Sequence, residues 1–413
     1  MRALALGLLC AGCLSGPRPL DAPPAIGAWP PPGIEVSSAT VTDFDRDGYD
    51  DLIVASKAEA TKGVYVLLGS PDGIGASYHA FAAASLAPYA VDAADLDGDG
   101  ERDLITVGES TERGLEVFPA LTPVSFGDRW RLDDSDLSYT TERSFVRVLD
   151  LGGDAPTVFV ADSHHALVLH PPAVGRQAFQ DGKPVALHAR SNAFTLPLDA
   201  FTAPRAGGGH NLVAVDFYAS AVSTGFPATS DGDVPHETAN GIHTDPNDPL
   251  AGIGFRNATH CDLDDDEIDE VVGEAGTWYA LKPWQSAADD GVARVYKYDQ
   301  DPIFAVSADG LGVVCDQLIE DPDRRADLAA LAVRPTGVRV LVLPDAYLTP
   351  PDVMSSNATV RCFPMPDTSA HVLVSGAFVV GADRVKKRRL AVVADNGAVT
   401  VIDDTQLIST CPL

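Results

Sequence analysis

The feature that most constrains this chain is an acidic turn that occurs three times. The first copy reads Asp-Phe-Asp-Arg-Asp-Gly-Tyr-Asp-Asp from Asp43, and the others begin at Asp95 and Asp262. Acidic side chains at positions 1, 3, 5 and 9 of one turn repel one another unless a cation lies between them. A hard cation such as Ca²⁺ takes about six to eight oxygen ligands, so the pattern predicts a calcium loop.

The flanks of the turn exclude an EF-hand. An EF-hand loop needs a Glu at its twelfth position and is followed by a helix. The twelfth residues here are Val54, Thr106 and Gly273, and each turn runs at once into a short, β-rich apolar segment, as in residues 52–55. We therefore expect the turns to connect β-strands.

The composition favours a β-rich protein with no nucleic-acid partner. The 413 residues include 36 Gly and 31 Pro, which suits many short strands and turns better than long helices. The formal net charge is −30 and the pI is near 4.4, so the chain would repel nucleic-acid phosphates and anionic lipid.

The N-terminus predicts export and a lipid anchor. Residues 1–12 have one positive charge and a short apolar core, which indicates a signal peptide too short to span a membrane. The sequence Ala-Gly-Cys at residues 11–13 resembles a bacterial lipobox, which implies acylation of Cys13 and a Pro-rich tether over residues 13–32. We expect a bacterial outer-membrane or cell-surface location, with membrane contact only through the lipid; the alternative is an ordinary secretory signal cleaved nearby.

Four cysteines remain after the leader and the anchor are set aside. An even number in an oxidising compartment indicates two disulfides, and four cysteines allow three connectivities. We expect Cys261–Cys315 and Cys362–Cys411, because the second pair would fasten the last strand. The spacings match no zinc pattern.

The turn belongs to a longer repeat. Seven apolar segments recur, and the turns before them are spaced by 52 to 62 residues. A unit of about 55 residues made of short strands has the size of one four-stranded propeller blade, whereas separate β-sandwich modules need about 100 residues each. We expect an all-β, seven-bladed β-propeller over residues 33–413, with blades starting near residues 34, 86, 141, 194, 253, 310 and 372.

Residues 41–54 and 64–73 resemble the FG-GAP/VCBS repeats of integrin-alpha-like propellers. The resemblance implies that each turn joins the first two strands of a blade and holds calcium. The implied ligands are Asp43, Asp45, Asp47 and Asp51; Asp95, Asp97, Asp99 and Asp103; and Asp262, Asp264, Asp266 and Glu270, with backbone carbonyls of Tyr49, Glu101 and Ile268. A partial sixth site retains Asp321, Asp323 and Asp327, so two to four calcium ions are expected.

These observations predict calcium with a structural role in an exported interaction module. Metal binding by such loops would form part of the folding free energy. We expect a monomer that binds an unidentified protein or polysaccharide. Catalytic motifs such as Gly-x-Ser-x-Gly or HExxH do not occur in the sequence. The alternatives are a propeller-type polysaccharide lyase or hydrolase, and a purely architectural envelope module.

Overall fold

The computed structural model describes residues 25–109, 113–133, 144–150, 156–161, 166–169, 185–186, 197–204, 210–216, 221–225, 239–241, 255, 257–274, 278–282, 294–298, 312–319, 325–334, 337–349, 353–356, 359–365, 371–380 and 385–409. These residues form strands, numbered β1 to β33 in chain order, and one short 3-10 turn, Asp404–Gln406. The all-β class predicted from the sequence is confirmed. None of the helical segments described is long or apolar enough to span a bilayer.

The first two large sheets are four-stranded and antiparallel. Sheet one contains β2 (Val36–Thr42), β3 (Asp51–Ser56), β4 (Gly63–Leu67) and β6 (Ala80–Ala83), in that spatial order. Sheet two contains β7 (Ala87–Ala94), β8 (Asp103–Glu109), β9 (Arg113–Phe118) and β12 (Trp130–Asp133). Two small sheets accompany them: β1 (Gly27–Ala28) with β5 (Ser77–Tyr78), and β10 (Ala120–Thr122) with β11 (Ser125–Phe126).

The next two sheets repeat the same meander. Sheet three contains β13 (Phe145–Leu149), β14 (Thr157–Ala161), β15 (Ala166–Leu169) and β16 (Val185–Ala186). Sheet four contains β17 (Pro197–Pro204), β18 (His210–Asp216), β19 (Ala221–Gly225) and β20 (Ala239–Gly241). The third strand of sheet four, β19, lies where the sequence shows only a faint alternation.

The last three sheets vary the pattern at their outer edges. Sheet five contains β21 (Asn257–Cys261), β22 (Glu270–Glu274), β23 (Trp278–Lys282) and β24 (Arg294–Tyr298), and the hairpin β28 (Ala346–Thr349) and β29 (Val353–Ser356) extends it. Sheet six contains β25 (Val313–Asp316), β26 (Asp327–Arg334), β27 (Gly337–Leu343) and β30 (Arg361–Pro364). Sheet seven contains β31 (His371–Val379), β32 (Lys386–Ala394) and β33 (Val399–Ile402).

The second strands of the sheets contain apolar segments, and in three of them both faces are covered. In β3, β14 and β22 every residue is buried, which is the burial expected of a strand between two packed layers. These are the segments that recur along the sequence. Their side chains supply the cores on both sides of each sheet.

The apolar cores lie between successive sheets. One cluster joins Ile53 of sheet one and Phe44, which follows β2, to Val91 and Leu104 of sheet two. Further clusters join sheets two and three, four and five, five and six, and six and seven. A last cluster places Val393 of sheet seven against the strands of sheet one.

The first strands of the sheets lie side by side in sequence order. β2 packs beside β7, β7 beside β13, β13 beside β17, β17 beside β21, β21 beside β25, and β25 beside β31. β31 in turn packs beside β2. Two hydrogen bonds join sheet one and the segment before it to the end of sheet seven: Val36 N donates to Asp395 O at 2.9 Å and the Trp29 indole donates to Gly397 O at 2.7 Å.

One disulfide lies between two of these first strands. Cys261 ends β21 and Cys315 lies in β25, and the two are bonded with their Cα atoms 5.8 Å apart. Cys362 is also disulfide-bonded, and Cys411, which we expect to be its partner, lies outside the described residues. Cys13 and the start of the tether lie outside them as well.

Candidate metal centres

The three acidic turns occupy equivalent places in the fold. Loop one (residues 43–50) joins β2 to β3, loop two (95–102) joins β7 to β8, and loop five (262–269) joins β21 to β22. Each therefore connects the first and second strands of its sheet. The ninth acid of each turn is the first residue of the second strand: Asp51, Asp103 and Glu270.

Loop one is wrapped around its own carboxylates. Asp43 accepts a hydrogen bond from Gly48 N at 3.1 Å, Asp45 from Asp47 N at 3.1 Å, and Asp47 from Tyr49 N at 2.8 Å. Carboxylate oxygens of Asp43, Asp45 and Asp51 lie within 4.8 Å of one another. One oxygen of Asp43 is buried without a hydrogen-bond partner, so it is available to coordinate a cation.

Loop two repeats this arrangement. Asp95 accepts from Gly98 N at 2.7 Å and from Gly100 N at 2.9 Å, and Asp97 accepts from Asp99 N at 3.1 Å. Oxygens of Asp95, Asp97 and Asp99 lie within 4.8 Å of one another. Gly100 has a φ of 97°, a left-handed conformation that favours glycine, which explains the glycine at position 6.

Loop five makes the same turn without glycine. Asp265 and Glu267 have φ values of 59° and 69°, and this left-handed backbone is costly for residues with a Cβ. Asp262 accepts from Asp264 N at 3.2 Å and from Glu267 N at 2.8 Å. Oxygens of Asp262, Asp264 and Glu270 lie within 4.8 Å of one another.

In sheets one, two and six the ninth carboxylate connects the turn to the end of the third strand. Asp51 accepts from Phe44 N at 2.6 Å and Asp45 N at 3.3 Å with one oxygen, and from Gly69 N at 2.6 Å with the other. Gly69 follows the third strand, so the carboxylate joins the turn to the end of that strand. A buried carboxylate that accepts several amide hydrogen bonds is strongly held.

The same fastening occurs in loops two and six. Asp103 accepts from Leu96 N at 2.9 Å and Ala120 N at 2.8 Å. In loop six (residues 317–326, of which 320–324 are outside the description), Asp327 accepts from Leu318 N at 2.7 Å and Asp345 N at 3.0 Å. Asp321 and Asp323, the other acids predicted for a partial sixth site, lie outside the described residues. The ninth acid therefore makes the same kind of hydrogen bonds in loops one, two and six.

Burial makes the carboxylates of loops one and two costly to ionise without a cation. It raises the pKa of Asp51 to about 8 and that of Asp103 to about 7. Burial, together with the Asp47 and Asp43 charges, raises the pKa of Asp45 to about 6. Among the described residues, no Lys or Arg forms an ion pair with an acid of these two loops. A bound cation would stabilise the ionised forms.

In loop five a lysine already lies among the acids. The Lys282 ammonium, with a side chain only 6% exposed, lies 2.7 Å from Asp264 and 2.6 Å from Asp266. It lies 3.4 Å from Glu270. Burial alone would lower the pKa of Lys282, but the hydrogen bonds that its ammonium donates to Asp264 and Asp266, and the charge of Glu270, hold that pKa above its ordinary value.

The donor sets of loops one and two fit a hard cation such as calcium. They offer only carboxylate oxygens, several per site, at positions in a turn between two strands. The carbonyls of Tyr49, Glu101 and Ile268 remain predicted ligands; the structure shows the amides of these residues bonded to Asp47, Asp99 and Asp266. The first two loops therefore leave a place for a cation, and the fifth fills it with a side chain.

A second polar cluster was not anticipated from the sequence. His260 Nδ1 on β21 donates a hydrogen bond to the Asp199 carboxylate on β17 at 2.7 Å, and Arg147 of β13 lies 3.7 Å from the same carboxylate. The His260 ring stacks on Phe201 with centroids 4.5 Å apart. The three polar residues belong to the first strands of consecutive sheets. Single residues in separate repeats carry no local motif, so only the packing of the first strands brings them together.

Comparisons with known proteins agree with the repeat. Residues 43–106 match the model of the FG-GAP-like repeat, which confirms the predicted repeat from the first acid of loop one into β8. No curated protein matches the chain in sequence.

Two solved structures share the fold. BBS1N, in a crystal structure of its complex with ARL6DN soaked with lead, gives a TM-score of 0.51 at 10% identity over 95% of each chain. A humanized mutant of the Chaetomium thermophilum Polycomb Repressive Complex 2, bound to an inhibitor, gives a TM-score of 0.53 at 9% identity over 89% of this chain and 93% of that chain. The structural neighbours are β-propeller-like domains, and at these identities they bear on the fold alone.

Proposed function

We propose that the seven large sheets are the blades of one closed β-propeller that serves as an interaction module. The order in which the first strands pack, from β2 round to β31 and back to β2, supports closure. So do the apolar clusters between consecutive sheets, including the one between sheets seven and one. A ring of this kind protects its sheet edges by packing each sheet on its neighbours. The blades occupy residues 33–413, following a tether at 13–32 whose last part, with β1, lies against sheets one and seven.

Calcium is proposed for loops one and two, where it has a structural role. In loop one the ligands are Asp43, Asp45, Asp47, the Tyr49 carbonyl and Asp51. In loop two they are Asp95, Asp97, Asp99, the Glu101 carbonyl and Asp103. The buried, unpartnered oxygen of Asp43 is the observation that carries this proposal. Calcium neutralises the clustered acids and so stabilises the turns.

Thermal unfolding with and without calcium tests this role. With loop affinities near the ~10⁻⁴ M typical of extracellular modules, about 1 mM calcium stabilises each site by about 1.4 kcal/mol. We expect chelation to lower the Tm by several degrees and added calcium to restore it. Asp45→Asn should remove about half of the calcium effect, and the exposed Asp72→Asn should remove none. A Tm that does not respond to chelation rules out structural calcium.

The proposed partner is a protein or a polysaccharide, bound by a monomer outside the cell. The net charge of −30 disfavours nucleic acid and anionic lipid. Cys13 carries the lipid that holds the chain at the bacterial outer membrane or cell surface, and membrane contact is limited to that lipid. Mass spectrometry of membrane-extracted protein should find a diacylglyceryl group on Cys13. A mature chain with an unmodified N-terminus at another residue contradicts the anchor.

A second candidate function is a polysaccharide lyase or hydrolase, favoured by the cluster of His260, Asp199 and Arg147. A His paired with a buried carboxylate can move protons. The cluster members bond one another, however, and Asp199 is only 6% exposed, which favours a role in joining sheets three, four and five. Incubation with a panel of acidic and neutral polysaccharides decides between the two: turnover that His260→Ala abolishes, with the fold retained, establishes the enzyme.

A further inference from the structure

The position of the Lys282 ammonium within loop five differs from anything in loops one and two. We infer that Lys282 is the resident cation of loop five, taking the place that calcium takes in the other two loops, so that this loop folds without metal. The inference deepens the calcium proposal above and rests on it for the comparison with loops one and two. It predicts two calcium ions per chain, held by loops one and two.

The contacts of the ammonium support this assignment. An ammonium has three N–H donors, and Lys282 Nζ approaches three carboxylates: Asp264 at 2.8 and 2.7 Å, Asp266 at 2.6 Å and Glu270 at 3.4 Å. These are acids of positions 3, 5 and 9, the positions that would coordinate a metal. A calcium ion bound to the same oxygens at about 2.3–2.6 Å would overlap the ammonium, so the two cannot be present together.

The strand register explains why a lysine reaches this place only in sheet five. Leu52 pairs with Leu67, Leu104 with Phe118, Val271 with Leu281 and Leu328 with Leu343. One residue further along the third strand, opposite the ninth acid, the four sheets have Leu68, Pro119, Lys282 and Pro344. The lysine is therefore opposite Glu270, where sheets one, two and six have an apolar residue.

The residue that follows each of these four positions also differs in sheet five. In sheets one, two and six it is Gly69, Ala120 or Asp345, whose amide donates to the ninth carboxylate. In sheet five that sequence position is Pro283, which has no N–H. One oxygen of Glu270 has no hydrogen bond, and the Lys282 ammonium lies 3.4 Å from that oxygen. The lysine compensates for both a missing metal and a missing amide.

Burial fixes the lysine in this position. Its side chain is 6% exposed, and the side chain begins on β23, inside the sheet. Loops one and two differ in this respect, because no described Lys or Arg forms an ion pair with their acids. Arg102 and Lys386, which lie nearby, donate instead to the backbone carbonyls of Asp43 and Gly48.

Calcium stoichiometry of the full chain, measured by equilibrium dialysis, tests the inference. We expect the wild type to bind two ions, Asp264→Asn in loop five to bind two, and the matched Asp45→Asn in loop one to bind one. Lys282→Met frees the acids of loop five and should add a third site. If Asp264→Asn removes a bound ion from the wild type, loop five binds calcium and the inference is wrong.

Thermal unfolding in EGTA keeps this test separate from the calcium proposal. Without metal, Lys282→Met leaves three acids unneutralised and should lower the Tm by roughly 5 °C. Adding Asp264→Asn and Asp266→Asn to that variant should recover most of the loss, and this triple variant also serves if Lys282→Met does not fold. A wild type that binds no calcium overturns the calcium proposal alone. A Tm in EGTA that Lys282→Met leaves unchanged overturns the lysine assignment.

Discussion

Loops one and five have the same backbone turn but different means of balancing their charges. Both turns connect the first and second strands of a sheet, and both wrap amides around the first acid. Loop one has glycine at position 6 and a buried, unpartnered oxygen, whereas loop five has Glu267 there and a lysine among its acids. The acidic pattern thus specifies the turn. What neutralises it depends on a residue of the third strand.

The disulfide also distinguishes loop five from loop one, because Cys261 is the residue directly before loop five. Cys261 is bonded to Cys315 across a sequence separation of 54, and the chain-entropy relation gives such a crosslink about 4 kcal/mol. We expect Cys261→Ser combined with Cys315→Ser to lower the free energy of unfolding by about that amount, as measured by urea denaturation. Calcium should not recover the loss, and calcium binding by loops one and two should be unchanged. Recovery by calcium would show that loop five takes metal once it is released.

Removing the ninth carboxylate tests how much its hydrogen bonds to backbone amides stabilise a loop. Asp51→Ala leaves the amides of Phe44, Asp45 and Gly69 without their acceptor in a buried site. The expected loss is about 3 kcal/mol in EGTA, with a further loss in calcium because a ligand is removed.

Asp327→Ala in loop six is the matched control for the same experiment. It removes the same kind of fastening, so urea denaturation should show a similar loss that does not depend on calcium. If Asp327→Ala has no effect while Asp51→Ala is harmful only in calcium, the ninth acid acts as a metal ligand and not as a fastening.

The smallest expected effect is on pH dependence. Because burial raises the pKa of Asp51 to about 8 from an ordinary 3.8, the folded, metal-free protein holds a proton that the unfolded chain releases above about pH 4. This contribution to stability is complete below the unfolded pKa and is lost as the pH rises through about 8. Calcium replaces the proton, so its stabilising effect grows over the same range.

We therefore expect calcium to raise the Tm by roughly 2 °C more at pH 8 than at pH 5.5. Differential scanning calorimetry of the wild type at both pH values measures this. Lys282→Met, if it gains a third calcium site, should enlarge the difference, whereas Asp45→Asn should reduce it. A calcium effect that is equal at both pH values contradicts proton competition at these acids.

Local patterns in the sequence were sufficient to predict the acidic turns, the all-β class and the repeat. The spacing of Asp43, Asp45 and Asp47, followed by an apolar segment, identifies a turn before a strand because both signals lie within a dozen residues. The all-β class follows from the recurrence of such segments. The FG-GAP-like repeat was predicted for the same reason, and its match over residues 43–106 confirms it.

Contacts that depend on strand pairing or on the packing of sheets could not be predicted from local sequence patterns. Lys282 is separated from Asp264 by 18 residues, and only the pairing of β22 with β23 places it opposite Glu270. The cluster of Arg147, Asp199 and His260 depends on the packing of three first strands. A lone lysine that ends an apolar strand and precedes a proline, as Lys282 does, is the one sequence signal that hints at the first of these.

The segment at residues 26–36 contains the hydrogen bonds on which a force applied at the N-terminus would act first. Ile26 and Trp29 donate backbone hydrogen bonds to Tyr78 and Ala76, and Val36 donates to Asp395. The Trp29 indole adds a bond to Gly397. A force applied through a lipid on Cys13 would act on these hydrogen bonds one after another, starting with the one nearest the N-terminus. These bonds would therefore be loaded before the apolar core between sheets one and seven, and the disulfide between β21 and β25 would not share that load.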